Sequence, residues 1–179
     1  MIKQSSSNME YRYLGNSGLR VSVASFGNFV NWNDETLCTE SVKYCLEHGI
    51  NFFDTAEVYG FGKAETLFGK AFKTLNVPRD KIVVSTKLFL NGPDPNDGNL
   101  SRKHIIEGLR LSLQKLQMDY VDVVFCHKYD RYTPLEETCR AFDWVVKQGM
   151  AHYWATSTFI ASQIMEVYKI CDKYDLVNL

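Results

Sequence analysis

Two kinds of segment alternate along this chain after residue 20, and that alternation limits its fold more than any other feature. Short apolar runs rich in β-branched and aromatic residues occur at Val21–Phe26, Ile50–Phe53, Ile82–Ser85, Val121–Phe125 and Ala151–Trp154. Runs of this length and composition read as buried strands. Between them, apolar residues recur with helical period: Ala64, Leu67, Phe68, Ala71, Phe72 and Leu75; then Ile105, Leu109, Leu113 and Leu116; then Leu135, Cys139, Phe142 and Val146; then Ile160, Ile164, Val167 and Cys171. Each set forms one stripe along a helix. The segment Thr133-Pro134-Leu135-Glu136 offers an N-cap, a proline at the first helical position and a capping-box glutamate, while Gly149 closes that helix. Gly49 and Pro78 end two others. Strand and helix alternating at roughly 30- to 40-residue intervals imply right-handed βαβ crossovers and a parallel sheet.

Such a sheet is either a barrel or doubly wound, and the polar residues distinguish the two. Ile50–Phe53 runs into Asp54, Ile82–Ser85 into Lys87, Val121–Phe125 into His127, and Ala151–Trp154 into Ser157. Four successive strands therefore deliver a chemically capable side chain at their C-terminal ends. In a parallel barrel those ends share one rim, where barrel enzymes keep their sites. The expected fold is α/β, a (β/α)8 barrel of the TIM-barrel type. A full barrel takes about 250 residues, so 179 residues predict an incomplete barrel of about five βα units over 11–179, preceded by a flexible tail over 1–10. The run Gly60-Phe61-Gly62-Lys63-Ala64-Glu65 begins like a dinucleotide-binding glycine loop. It has Glu65 where the third glycine belongs and lies several residues past the strand end, so it reads as a βα loop leading into the next helix.

Composition excludes several classes of function. The chain is 45% hydrophobic and 23% charged with a net charge of −1, which fits a globular domain and supplies no basic excess for nucleic acid or an anionic membrane surface. The polar, Ser-rich opening MIKQSSSN resembles neither a secretory signal nor a transit peptide. The longest apolar runs are strand-sized, so no transmembrane segment is expected, and the expected location is the cytosol. Five cysteines, at 38, 45, 126, 139 and 171, contain no C-x-x-C pair and no metal-ligand spacing with histidine. They read as free buried thiols, with Cys38 and Cys45 on one helix face.

The strand-end residues form a proton-transfer set. Reducing a carbonyl requires a hydride on carbon and a proton on oxygen, and Tyr59 can donate that proton if its phenol is made more acidic. Lys87 supplies the ammonium that favours phenolate, with Asp54 holding it in place. His127 is suited to orient the carbonyl oxygen and share its developing charge. His48, His104 and His152 read as structural or exposed. The loop LNGPDPNDGN over 90–99 suggests a mobile rim element.

At FFDTAEVYGFGKAE, the following STK and VDVVFCHK, the chain resembles the aldo-keto reductase family. The likeness runs from Tyr11 to the end. Within the family the chain is most similar to the β subunits of voltage-gated potassium channels, through YRYLGNSGLRVS, SRKHIIEGL, LQMDYVDVVF, TPLEETCRAF and QGMAHYWATS. The resemblance implies an NADPH-dependent oxidoreductase acting on a small carbonyl substrate, with Asp54, Tyr59, Lys87 and His127 as its catalytic tetrad. It also implies that Asn28, Phe29, Asp54, Ser157 and Thr158 lie against the cofactor. The channel subunits carry asparagine at His127, Gly-Thr-Trp at Gly27-Asn28-Phe29 and Ser-Arg at Ser157-Thr158. The family places much of its adenosine- and phosphate-binding sequence after the fifth helix. Five parallel strands without the remaining three leave the first and fifth with unpaired edges and apolar helix faces such as Ile160, Ile164 and Val167 exposed, so a protein partner is expected: another copy, the missing half, or a larger assembly covering the open barrel edges. The alternative function is a non-catalytic accessory or scaffold protein like the channel subunits.

Overall fold

A computed structural model describes residues 8–29, 33–90 and 92–179 of the chain. Its first apolar run is not one strand, contrary to expectation. Arg20–Ser22 (β2) pairs antiparallel with Tyr11–Tyr13 (β1), with Arg12 opposite Val21. The chain then turns where the Ser22 hydroxyl donates to the Ala24 carbonyl at 2.6 Å. Only Phe26–Gly27 (β3) enters the main sheet. Gly15, at φ 55°, makes the hairpin turn in a left-handed conformation that costs glycine little. The Glu10 carbonyl extends the hairpin by accepting the Val23 N–H at 3.0 Å. Of the tail expected over residues 1–10, residues 1–7 lie outside the described residues.

The main sheet continues with Phe52–Asp54 (β4), Val83–Leu88 (β5), Val121–Cys126 (β6) and Ala151–Thr156 (β7). The crossovers carry helices Glu35–Glu47 (α1), Lys63–Thr74 (α2), Arg102–Leu116 (α3) and Leu135–Lys147 (α4), and Ala161–Tyr174 (α5) follows β7. Strand order in space equals order in sequence, β3-β4-β5-β6-β7, and every pair is parallel. A doubly wound sheet reverses its strand order at a switch point. No reversal occurs here, and each helix packs on the next, α1 to α5 in turn. The architecture is thus an arc of a (β/α) barrel. Among the described residues β3 and β7 are each paired on one side only.

Side chains alternate across each strand, so one face builds the core and the other the interior of the arc. Phe53, Val84, Leu88, Val124, Cys126 and Trp154 pack against the helices. Phe53 meets Phe72 at 5.2 Å and Phe68 at 6.0 Å between ring centroids, while Trp154 stacks on Phe142 at 5.1 Å. Helices α2 and α3 approach closely at Gly69, where a Cβ would stand 2.5 Å from the Lys115 carbonyl oxygen. All five cysteines are buried. No helix among the described residues is long and apolar enough to cross a membrane.

Helix starts follow short polar side chains in two cases. Asp34 accepts the Leu37 N–H at 2.8 Å at the start of α1, and Ser101 accepts the His104 N–H at 3.2 Å at the start of α3. The cap expected at Thr133 is absent. Its hydroxyl is turned to donate to the Asp130 carboxylate at 2.6 Å and accepts no helix N–H, and Pro134 takes the N-cap place without a side-chain bond. Glu136 bonds Arg140 at 2.8 Å and does not reach back to close a capping box.

Candidate active site

The interior face of β4 and β5 brings three polar side chains together because Asp54 and Ser85 are register partners. The Ser85 hydroxyl donates to Asp54 Oδ1 at 2.6 Å, and Lys87 Nζ pairs with Asp54 Oδ2. Lys87 also donates to the Thr55 carbonyl at 2.8 Å. Its ammonium is 8% exposed at the residue level, so these two oxygens replace most of its water.

After β4 the chain stays close to β5. Thr55 N–H donates to the Ser85 carbonyl at 3.0 Å, and Glu57 N–H to that of Lys87 at 3.1 Å. A 3₁₀ turn over Tyr59–Gly62 follows. Gly60 and Gly62, at φ 57° and 83°, suit its left-handed bends. Phe61, at φ 54° and 86% exposed, does not; such a residue costs about 1–3 kcal/mol and persists only where its surroundings enforce it. This turn sets the Tyr59 ring beneath Lys87, with Nζ 4.9 Å from the ring centroid.

His127 follows β6 and completes the group. Its ring meets that of Tyr59 edge-on at 5.7 Å, and its backbone N–H donates to the Leu88 carbonyl at 3.1 Å. Burial, reinforced by the Lys87 charge and partly opposed by Glu57 and Asp54, lowers its pKa from the ordinary 6.5. The imidazole is therefore neutral at neutral pH, able to donate one hydrogen bond without carrying charge.

Asp54, Tyr59, Lys87 and His127, the four residues expected to act together, thus lie at one rim. Of the others, Phe29 is exposed and packs edge-on against Tyr59 at 5.0 Å. Ser157 and Thr158 follow β7 beside His127: Ser157 N–H donates to the Cys126 carbonyl at 2.9 Å, and the Thr158 hydroxyl to the His127 carbonyl at 3.2 Å. Asn28 is fully buried and spends its amide N–H on the Ala64 carbonyl at 2.6 Å, acting as a strut between β3 and α2. A cleft between Tyr11, Leu46, Ile50, Leu75 and Val77 opens at the opposite end of the strands and has no carboxylate in its lining.

The two most deeply buried carboxylates among the described residues, Glu65 and Glu57, escaped the sequence reading. Glu65 accepts the Thr86 hydroxyl at 2.6 Å and faces Lys115 at 3.6 Å. Burial raises its pKa above the ordinary 4.5 despite those partners. Its position, three and seven residues before Phe68 and Phe72, put a carboxylate on the apolar stripe of α2 and could have disclosed it. Glu57 meets His104 at 2.9 Å, and both are buried; a loop residue offers no periodic signal of this kind.

The chain resembles proteins with this architecture. The Aldo/keto reductase family profile matches residues 24–178. A rice (Oryza sativa subsp. japonica) protein named as a probable voltage-gated potassium channel subunit beta is 51% identical over 173 residues, 95% of this chain and 53% of its own length. An Arabidopsis thaliana protein with the same description is 49% identical over the same shares. The chain therefore spans about half the length of these relatives. Among solved structures, an aldo-keto reductase from Bacillus halodurans in its holo form superposes with a TM-score of 0.82 at 33% identity, covering 90% of this chain and 54% of that one. With a profile match over most of its length and the strand-end cluster in place, the chain belongs to the aldo/keto reductase family.

Proposed function

We propose that this rim is the carbonyl-reducing centre of an NADP(H)-dependent oxidoreductase. The observation that carries the reading is the Asp54-held Lys87 ammonium over the Tyr59 ring, with neutral His127 at the ring's edge. Tyr59 gives the proton to the carbonyl oxygen. Lys87 offsets the negative charge this leaves on the phenol, and Asp54 with Ser85 fixes the ammonium. His127 donates a hydrogen bond that orients the substrate oxygen. The residues present fit the reacting half of a nicotinamide cofactor: exposed Phe29 offers an aromatic surface beside Tyr59, and Ser157 and Thr158 lie at the end of β7 beside His127, where Thr158 holds the His127 carbonyl. Asp54 borders the same space, whereas Asn28, fully buried with its amide N–H on the Ala64 carbonyl, presents no exposed group to it. When bound, the cofactor supplies the hydride.

The test is NADPH-linked reduction of a simple aldehyde, by this chain and by this chain extended with the C-terminal portion of its relatives. Tyr59→Phe is expected to cut the rate about 10²- to 10⁴-fold, the usual worth of a positioned acid, with cofactor binding nearly unchanged. An undiminished rate in that variant overturns the assignment.

A second reading, as an accessory or scaffold subunit, is favoured by the names of the two plant relatives; among the described residues β3 and β7 each have one unpaired edge. Such edges invite a further strand. A protein partner, whether more barrel, a second copy or a larger assembly, covers them in this reading. Sedimentation of the purified chain checks it, since a compact monomer speaks against the need for a cover. In either reading the protein works in the cytosol.

A further inference from the structure

His104 is a buried histidine to which the mechanism above gives no task. Its ring Nε2 lies 2.9 Å from Glu57 Oε1, and its Nδ1 lies 3.2 Å from the Asn96 carbonyl oxygen. The Phe89 N–H donates to the same Glu57 oxygen. A carbonyl oxygen only accepts, so Nδ1 carries a proton. Were the ring neutral, Nε2 would turn its lone pair toward a carboxylate oxygen, and the contact would repel. A proton on Oε1 would weaken that oxygen as an acceptor for Phe89. The arrangement satisfies all three contacts when the ring is protonated on both nitrogens and Glu57 is ionised.

The pair joins two parts of the rim. Glu57 lies between Asp54 and Tyr59, in the segment that shapes the Tyr59 turn. Asn96 and Phe89 belong to the loop from β5 to α3, closed by the Leu90–Gly98 bridge and by the Asn99 N–H donating to the Phe89 carbonyl at 2.8 Å. Gly108 of α3 leaves the necessary room, since a Cβ there would stand 3.1 Å from Glu57 Oε2. We propose that Glu57 and His104 form a proton-holding pair that positions the β5–α3 loop against the Tyr59 segment. His104 is a positioning residue, acting on the site through Glu57.

The charges around the pair agree with this. Burial alone would lower the His104 pKa, but the hydrogen bond and charge of Glu57, the Asn96 carbonyl and the charge of Asp97 together raise it above 6.5. Glu65 on α2 and His127 after β6 also sense the Glu57 charge. A raised folded-state pKa means the contribution is complete below the ordinary imidazole value and is lost as pH climbs through the raised one. The loop therefore loosens on the alkaline side.

Histidine-labelled NMR on this chain, with no cofactor or substrate, tests the pair. Both ring nitrogens of His104 are expected to be protonated at about pH 7. Glu57→Gln is expected to leave only one protonated, and to lower hydrogen-exchange protection of the Phe89 and Asn99 amides about tenfold or more, as loss of a charged hydrogen bond does. His104→Gln should loosen the same amides while the β5 and β6 amides keep their protection. A neutral His104 ring near pH 7, or unchanged loop protection in Glu57→Gln, overturns the proposal. The inference rests on the reductase reading only for placing the loop beside a reacting group. A doubly protonated ring in a chain that proves unable to reduce aldehydes even when extended overturns that reading and leaves the pair standing; a neutral ring in an active protein does the reverse.

Discussion

Breaking the Asp54–Lys87 pair from its two sides should cost different amounts. The Lys87 side chain is 10% exposed and the Asp54 side chain 30%. Asp54→Asn leaves an ammonium almost out of water with no counter-charge and only neutral oxygens, such as the Thr55 carbonyl, to accept from it. Removing one partner of a buried pair costs about 3–5 kcal/mol, and partial exposure of the Asp54 site argues for the low end, about 3 kcal/mol. Lys87→Met leaves Asp54 with the Ser85 hydroxyl and some access to water, so about 1–2 kcal/mol is expected. With neither charge left stranded, the double variant should be less damaged than the sum by about 1–2 kcal/mol. Urea unfolding followed by fluorescence reads all four proteins, because Trp154 stacks on Phe142 within the core. Strict additivity would show that the two side chains do not interact in the folded chain, and a larger cost for Lys87→Met than for Asp54→Asn would show that the burial argument is reversed.

Two further perturbations test the packing around the site. Gly69→Ala places a methyl group 2.5 Å from the Lys115 carbonyl oxygen and 2.7 Å from the Leu116 carbonyl carbon; because both are backbone atoms, the helices must separate, and denaturant titration should register a loss of about 1–3 kcal/mol, whereas a neutral result would place α2 farther from α3. Glu65→Gln keeps a group able to bond Thr86 but removes a carboxylate whose pKa burial raises. The wild type therefore loses stability as pH rises through that raised value. Unfolding at about pH 4 and about pH 8 should show the variant gaining on the wild type at the higher pH, and a gain confined to the lower pH would contradict the assigned direction.

The placement of the strand-end side chains was legible because it follows from the alternation of strand and helix. Asp54, Lys87 and His127 each close an apolar run, and a parallel arc must bring such ends together. The strand limits were less legible. The run at Ile82–Ser85 became Val83–Leu88, because Lys87 pairs with Phe125 and Leu88 with Cys126 although a lysine interrupts the apolar sequence. The run at Val21–Phe26 split because the Ser22 hydroxyl turns the chain at Ala24, a local bond that hydrophobicity does not encode. The hairpin partner Tyr11–Tyr13 was announced only by the Gly15-Asn16-Ser17-Gly18 turn. The Glu57–His104 contact joins residues 47 positions apart and depends on the small volume of Gly108, so nothing local in the sequence points to it.

Strand β5 carries two messages interleaved in one stretch of six residues. Val84, Thr86 and Leu88 face the helices, and Ser85 and Lys87 face the arc's interior. A point substitution at an interior position can change the rim's chemistry while sparing the packing, and one at a helix-facing position does the reverse. A one-residue slip in pairing has no such privacy. It would carry Leu88 to the place of Lys87 and lysine into the apolar layer, damaging both functions at once. The strand thus tolerates rewriting letter by letter but resists insertion or deletion, and diversity in this part of the molecule should accumulate as exchanges within the strand and as length changes only in the loops beyond it.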